Sequence, residues 1–417
     1  MPGVGPITIF DKSALESLNP DESVWLDCFY LSNITPLFYV ETLADLYKKM
    51  RGGRTVEQIV GNIANKVPEL GTALNLHHYT LCVSDLIGQR VRMERYPVVG
   101  GARCVATGNG LGIVIERPPE MEAFERWQKS EFAEVERLYA KAWRRGLDSV
   151  DLNAIVQNLG LAAPIRADAA EIKSWADSVV AGRRNRFGTL KASLEILGVP
   201  ETFRPTILAR WKSAGGPPLN EFAPYAAHVL AVDLFFVFGL AAGVISANRA
   251  SNMVDIAYLY YLPFCMVFVS GDKLHRRIVP HFIRKDQDFV WAPDLKADLA
   301  KLDSHFSSFP EEVKAKGLFK FAGWPPEQTE FLTTRLWDRH LPDWRRIASA
   351  PRTPDSAEEH GKLIAWLDEI DAARPASKAV GVDEARFMKT ERYVRASKGK
   401  WRILPPGVEN ATSGDNP

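Results

Sequence analysis

Residues 251–275, SNMVDIAYLYYLPFCMVFVSGDKLH, change from helical to strand-like hydrophobic spacing within one short stretch. Apolar residues recur every three or four positions across 256–262, which predicts a helix carrying Asp255 toward its start. The proline that follows ends this helix. The run 265–269, CMVFV, is short, rich in Val and Phe and bounded by turn residues, which predicts a buried strand. Asp272 then lies just beyond the carboxyl end of that strand.

The N-terminus repeats this arrangement of a short strand that ends on an acid. In PITIFDKSAL the apolar run 7–10 predicts a strand, and Asp11 follows it directly. In open parallel α/β sheets, ligands bind in the crevice outside the carboxyl ends of the strands. Asp11 and Asp272 are therefore placed better for chemistry than for stability. The alternative for each is a helix N-cap, because both precede a predicted helix, and the two roles are compatible.

A third acid lies on an early helix. The segment TPLFYVETLADLYKKM begins with a Thr-Pro start signal and predicts an amphipathic helix over 36–50. Glu41 and Asp45 are four residues apart and so share one face of this helix. The apolar stripe of the helix borders Glu41, which predicts a half-buried carboxylate there. Asp45 is expected nearer to solvent.

The composition is that of an ordinary globular protein. The chain has 417 residues, 46% of them hydrophobic and 25% charged, with a formal net charge of +1. The hydrophobic and charged fractions argue against a disordered or fibrous chain. The small net charge argues against a global electrostatic field that attracts polyanions. Four scattered cysteines without CxxC spacing predict reduced thiols and no disulfide. No signal peptide is recognisable, and the apolar run 229–245 contains Asp233, so it is expected as a buried helix and not a membrane span. We therefore expect a cytoplasmic protein.

The length exceeds one typical domain, and the pattern of segments predicts one core with insertions. The predicted organisation is a first part of the core at 1–50, an insertion at 51–220 with β-hairpins in 74–117 and helices in 119–213, a second part of the core at 221–293, a mostly helical C-terminal extension at 294–404, and a disordered tail at 405–417.

Four acids in this order resemble the pattern of the PIN-domain family of metal-dependent nucleases. The family begins with a strand that ends in Asp followed within two residues by Ser or Thr, as in IFDKSAL, and it places a Glu on an early helix, as in FYVETLADL. It later has an Asp at a helix start and a hydrophobic strand closing on Thr/Ser-x-Asp, as in NMVDIAYLYYLPFCMVFVSGDKL. The resemblance covers about the first fifty residues and roughly 250–290. The segment between Lys49 and Pro224 has no counterpart in the family.

The resemblance implies an α/β fold, a three-layer arrangement of a parallel sheet flanked by helices. It also implies that Asp11, Glu41, Asp255 and Asp272 converge as catalytic residues and ligands of Mg²⁺ or Mn²⁺. Hard divalent cations prefer such oxygen ligands and can activate water for attack on a phosphodiester. Ser270 and Asp45 are expected as auxiliary residues. Lys273, Arg276 and Arg277 follow Asp272 and are expected to bind substrate phosphates.

The leading expectation is thus a ribonuclease, an endonuclease acting on RNA. A haloacid-dehalogenase-like phosphatase also begins with a strand ending in Asp, but it needs a second Asp two residues later, where this chain has Ser13. A non-catalytic interaction protein that keeps the fold is the other alternative. A homodimer, or a protein partner bound through the insertion, is left open.

Overall fold

The structure is a computed structural model, and a five-stranded sheet lies at its centre. It describes residues 5–50, 53–108, 110–116, 118–149, 167–182, 185–350, 357–376, 385–390 and 392–405. The strands of the central sheet are β1 (Ile7–Phe10), β2 (Leu31–Ile34), β3 (Thr72–Leu74), β6 (Val267–Ser270) and β7 (Asp288–Trp291). All of its pairings are parallel, in the order β3-β2-β1-β6-β7. The predicted α/β class with a parallel sheet flanked by helices is confirmed.

The remaining strands form two small sheets outside the central one. β4 (Ala102–Thr107) and β5 (Gly110–Ile115) form an antiparallel hairpin, and β8 (Phe387–Thr390) pairs in parallel with β5. A second hairpin consists of β9 (Ser397–Lys398) and β10 (Trp401–Arg402). The β4–β5 hairpin lies within the range 74–117 in which β-hairpins were predicted.

Helices account for most of the rest of the described chain. Those of the first half are α1 (Lys12–Ser17), α2 (Pro20–Phe29), α3 (Pro36–Met50), α4 (Val56–Ala64), α5 (His78–Ile87), α6 (Pro119–Gln128), α7 (Glu134–Ser149), α8 (Ala169–Ala181), α9 (Arg186–Ile196) and α10 (Arg204–Ser213). Those of the second half are α11 (Leu219–Phe222), α12 (Pro224–Ala241), α13 (Asn252–Ala257), α14 (Lys273–Ile278), α15 (Ala292–Ser307), α16 (Glu311–Lys314), α17 (Leu318–Phe321), α18 (Leu332–His340), α19 (Trp344–Ala348) and α20 (Ala357–Ala372). Two 3₁₀ helices cover Tyr258–Phe264 and Val279–His281.

The prediction of β-hairpins across 74–117 is wrong for the first part of that range. Residues His78–Ile87 form a helix, α5, which packs against α12. β3 precedes it and extends the central sheet, so the core reaches into the range 51–220 that was expected to be an insertion. The short run HYTLCVSDLI fits both helical and strand spacing, and packing against α12 favours the helix.

The stretch 251–275 forms a helix and then a strand, as predicted, with one difference. Pro263 lies inside the 3₁₀ helix and does not end the helical segment, which continues to Phe264. Because proline has no amide hydrogen, the 3₁₀ helix lacks the hydrogen bond that this position would donate. The strand therefore begins at Val267 and not at Cys265. The tail prediction for 405–417 lies outside the described residues except at Pro405.

The longest apolar helix of the described chain is α12, which covers much of the run predicted to be a buried helix. It is the one described helix that is long and apolar enough to cross a membrane, and 61% of it is buried inside the protein. At the N-terminus of α12, the Tyr225 and Ala226 amides donate hydrogen bonds to the Asp85 carboxylate, at 2.7 and 3.2 Å. These bonds satisfy amide groups that have no partner within the helix.

Candidate active site

The two central strands β1 and β6 end side by side, and each is followed by an acid. The Asp11 amide donates to the Val269 carbonyl at 3.2 Å, so Asp11 lies against the end of β6. The chain leaves β1 toward β2 on one side of the sheet, whereas β6 continues to β7 on the other. This is the topological switch point, where crevices form at the carboxyl ends of parallel strands. Asp11 and Asp272 therefore lie at the edge that the sequence predicted.

The Asp11 carboxylate is buried and surrounded by donors. Its Oδ1 accepts from the Ser13 hydroxyl and from the Ala14 amide, both at 2.8 Å, so Asp11 also caps α1. Its Oδ2 accepts from the Ser270 hydroxyl and lies 3.3 Å from Nδ1 of His275. Burial alone raises the pKa of Asp11, but the hydrogen bond and charge of His275, with the Ser270 and Ala14 donors, hold it below its usual range.

His275 is fully buried between two of the candidate acids. Its Nε2 lies 2.6 Å from the Asp255 carbonyl oxygen, which can only accept, so Nε2 carries a proton. Its Nδ1 lies 2.8 Å from the Ser270 hydroxyl. Burial lowers the pKa of an imidazole, but Asp11 and then Asp255 outweigh it and raise the pKa of His275 to about 9. His275 is therefore a cation at neutral pH.

Glu41 is paired with a buried lysine, Lys12, the first residue of α1. Lys12, 2% exposed, has its Nζ 3.6 Å from Glu41 Oε1 and donates a hydrogen bond to Asp45. The Tyr258 hydroxyl donates to Glu41 Oε2 at 2.8 Å. Burial raises the pKa of Glu41 to about 7, Lys12 opposes the rise, and the charges of Asp11 and Asp255 add to it. The side chains of Glu41 and Asp45 are 20% and 31% exposed, in the predicted order.

Asp255 and Asp272 are half-buried, like Glu41 and Asp45, but they have fewer partners. The Asp255 carboxylate makes no hydrogen bond with any residue that the structure describes. Burial raises its pKa to about 6, with repulsion from Asp272 and Asp11 adding to the rise and His275 and Arg249 opposing it. Asp272 Oδ1 accepts from the Leu274 amide at 2.6 Å and so caps α14.

Three of the predicted acids, Asp11, Glu41 and Asp255, thus lie within electrostatic range of one another, and Asp272 lies within range of Asp255. Asp11 and Asp255 act on Glu41, and Asp272 and Asp11 act on Asp255. Ser270 connects Asp11 to Asp272, because its Oγ donates to the first and accepts from the amide of the second at 2.9 Å. The arrangement concentrates negative charge at one end of the sheet.

The donor chemistry of this cluster suits a hard divalent cation. With Asp45 there are five carboxylates against the cations Lys12 and His275, which leaves an excess of negative charge. Asp255 and Asp272 are half-buried residues with carboxylate oxygens that have no hydrogen-bond partner among the described residues. In the described part of the chain, no three His, Cys, Asp or Glu side chains are gathered as ligands of one metal ion. Asp11 and Glu41 already have cationic partners.

The three predicted phosphate-binding cations are exposed on α14. The Arg276 guanidinium lies over the Trp291 ring, 5.0 Å from its centroid, at the end of β7. Arg277 donates to the Val244 carbonyl, which leaves less of its guanidinium for a ligand. Lys273 and Arg276 are therefore the better placed of the three.

Three residues of the site were not predicted from the sequence: Lys12, His275 and Tyr258. Lys12 follows Asp11 directly, and a lysine in the first turn of a helix is typical of a solvated position. His275 follows Asp272 by three residues, one helical turn later, which is the signal that could have identified it. Tyr258 has the same spacing after Asp255.

Comparison of the chain with family models, with curated proteins and with solved structures found no match.

Proposed function

We propose that this protein is a PIN-like, metal-dependent nuclease that hydrolyses phosphodiester bonds in single-stranded RNA. The proposal rests on the acids gathered at one end of the central sheet. Two adjacent parallel strands, β1 and β6, end there, and Asp11 and Asp272 follow them. Glu41 and Asp255 lie within electrostatic range of Asp11. RNA as the substrate class comes from the resemblance of the sequence to the PIN-domain family.

The four acids divide into two pairs by what they already contact. Asp255 and Asp272 have oxygens without a partner among the described residues, and they would hold Mg²⁺ or Mn²⁺. When bound, the cation supplies activation of water and stabilisation of the charge that develops on the leaving oxygen. Asp11 and Glu41 are held by His275 and Lys12 and fix the electrostatic surroundings of the cation.

The other residues of the site bind and orient. Ser270 and Ser13 hold the Asp11 carboxylate, one on each oxygen, so its orientation is fixed before substrate arrives. Tyr258 does the same for Glu41. Lys273 and Arg276 extend from α14 beside Asp272, where they can contact phosphates of a nucleic acid strand. Such preorganisation lowers the cost of aligning the reacting groups.

A cleavage assay with a charge-neutral variant tests this proposal. Asp255→Asn keeps the size of the side chain but removes one anionic ligand, so we expect Mn²⁺-dependent cleavage of a labelled single-stranded RNA to be lost. Asp343→Asn, at an exposed carboxylate on the start of α19, is the matched control and should cleave like the wild type. Equal cleavage by wild type and Asp255→Asn, or cleavage unaffected by EDTA, would contradict the proposal.

A non-catalytic interaction protein is the second candidate, and one observation favours it. Lys12 and His275 already neutralise part of the acid cluster from inside the protein. A scaffold that keeps this fold needs no divalent cation at all. It should then show no Mn²⁺-dependent rise in melting temperature and no cleavage, whereas the nuclease should show both.

A further inference from the structure

Lys12 occupies an unusual place for a lysine. It is 2% exposed, it follows Asp11 at the end of a central strand, and its Nζ faces the carboxylates of Glu41 and Asp45 on α3. Lysine side chains are almost never fully buried unless they are paired. The pairing here joins the first turn of α1 to the middle of α3, on the side of the acid cluster that holds Glu41 and Asp45.

The ammonium of Lys12 uses the ligands that a divalent cation would use. Hard cations bind carboxylate oxygens, and some hydrolytic sites hold two such ions. Glu41 Oε1 lies 3.6 Å from Lys12 Nζ, and Asp45 accepts a hydrogen bond from it. A divalent cation on the same two carboxylates would meet the buried positive charge of Lys12 at short range.

Among the residues that the structure describes, no buried lysine is paired with Asp255 or Asp272. Asp255 and Asp272 are partly exposed, and the nearest buried cation, His275, contacts Asp11 and the backbone carbonyl of Asp255. The carboxylate oxygens of Asp255 have no hydrogen-bond partner among the described residues. The two sides of the cluster are therefore unequal in their capacity for a cation.

We propose that Lys12 is a resident counter-ion that takes the place of a second divalent cation beside Glu41 and Asp45. The inference rests on the proposed metal site. The wild type then binds one divalent cation, on the side of Asp255 and Asp272, and Lys12 supplies the positive charge that a second ion would bring.

Titration of the full-length protein with Mn²⁺, followed by calorimetry and by the electron paramagnetic resonance of free Mn²⁺, tests this. We expect about one ion per chain in the wild type and about two in Lys12→Met, which removes the charge but keeps the length of the side chain. Lys398→Met is the matched control. Lys398 is also 2% exposed and lies 3.6 Å from a carboxylate, that of Asp27, but it binds the carbonyls of residues 66 and 67 outside the acid cluster.

Glu41→Gln gives a second test that does not depend on the folding of Lys12→Met. The amide can still accept from Tyr258, and we expect the wild-type stoichiometry of one ion to persist, because Glu41 serves Lys12 and not the first cation. Loss of that ion in Glu41→Gln would overturn the inference, as would two ions in the wild type.

The outcomes separate this inference from the proposed function. One ion in both the wild type and Lys12→Met would overturn the role of Lys12 and leave the nuclease proposal standing. No ion in the wild type would overturn both, whatever the variant binds. A second ion gained equally by Lys12→Met and Lys398→Met would also overturn the proposed role of Lys12, because the gain would then follow from loss of any buried lysine.

Discussion

The buried pair of His275 and Asp11 predicts a specific loss of stability at alkaline pH. The pKa of His275 is raised from 6.5 to about 9, because the folded protein holds the imidazolium against Asp11. A group whose pKa is higher in the folded state binds its proton more tightly there. Its contribution to the free energy of unfolding is therefore full below pH 6.5 and is lost as the pH rises through about 9.

The size of the effect follows from the two pKa values of His275. The difference between 6.5 and about 9, at roughly 1.4 kcal/mol per pH unit, corresponds to about 3 kcal/mol of stability below pH 6.5. His275 is fully buried, so solvent screening does not reduce this value. The lowered pKa of Asp11 reports the same interaction and is not added to it.

Urea unfolding of the wild type and of His275→Gln at a series of pH values measures this contribution. The difference in unfolding free energy between them should fall by about 3 kcal/mol as the pH is raised from about 6 to about 10. His228→Gln is the control, because burial lowers the pKa of His228 to about 4. For that variant the difference should change in the opposite direction up to about pH 7 and then stay flat. A His275 difference that does not depend on pH would refute the buried ion pair.

Three further predictions concern the fold and the substrate. Asp298→Ala removes a buried carboxylate that accepts from the amides of Leu332 and Thr333, so urea unfolding should show a loss of about 1 to 3 kcal/mol; no loss would mean that other groups satisfy these amides. Asp85→Ala removes the acceptor at the N-terminus of α12 and should lower the unfolding free energy by about 1 kcal/mol, with little change in helix content. Arg276→Ala should weaken binding of single-stranded RNA and reduce the slope of log affinity against log salt by about 0.7; an unchanged slope would exclude Arg276 from the phosphate contacts.

The central strands and their acids were predictable because they depend on local pattern. β1 and β6 are fully buried on both faces, so their residues form short continuous apolar runs, and an acid directly after such a run is conspicuous in the sequence. The helix that carries Glu41 has clear start signals and a clear apolar stripe. For these elements local spacing and tertiary packing agree.

The parts that could not be predicted depend on contacts between distant segments. β3 has three residues, which is too short for a periodic signal, and α5 adopts a helix where its spacing fits a strand equally well. Lys12 becomes buried only because α3 packs over α1 and brings Glu41 and Asp45 to its ammonium. His275 becomes a cation only because Asp11, 264 positions earlier in the chain, lies against it. No spacing within either segment encodes these charges.

A crystal structure of the full chain soaked in Mn²⁺, with anomalous data, tests most directly whether the acids at the switch point hold a divalent cation. We expect one anomalous peak at the carboxyl ends of β1 and β6, with carboxylate oxygens of Asp255 and Asp272 as ligands of the ion. Lys12 should keep its contacts with Glu41 and Asp45 in that crystal. A site without a peak, or peaks only at acids elsewhere on the surface, would contradict the metal-dependent nuclease.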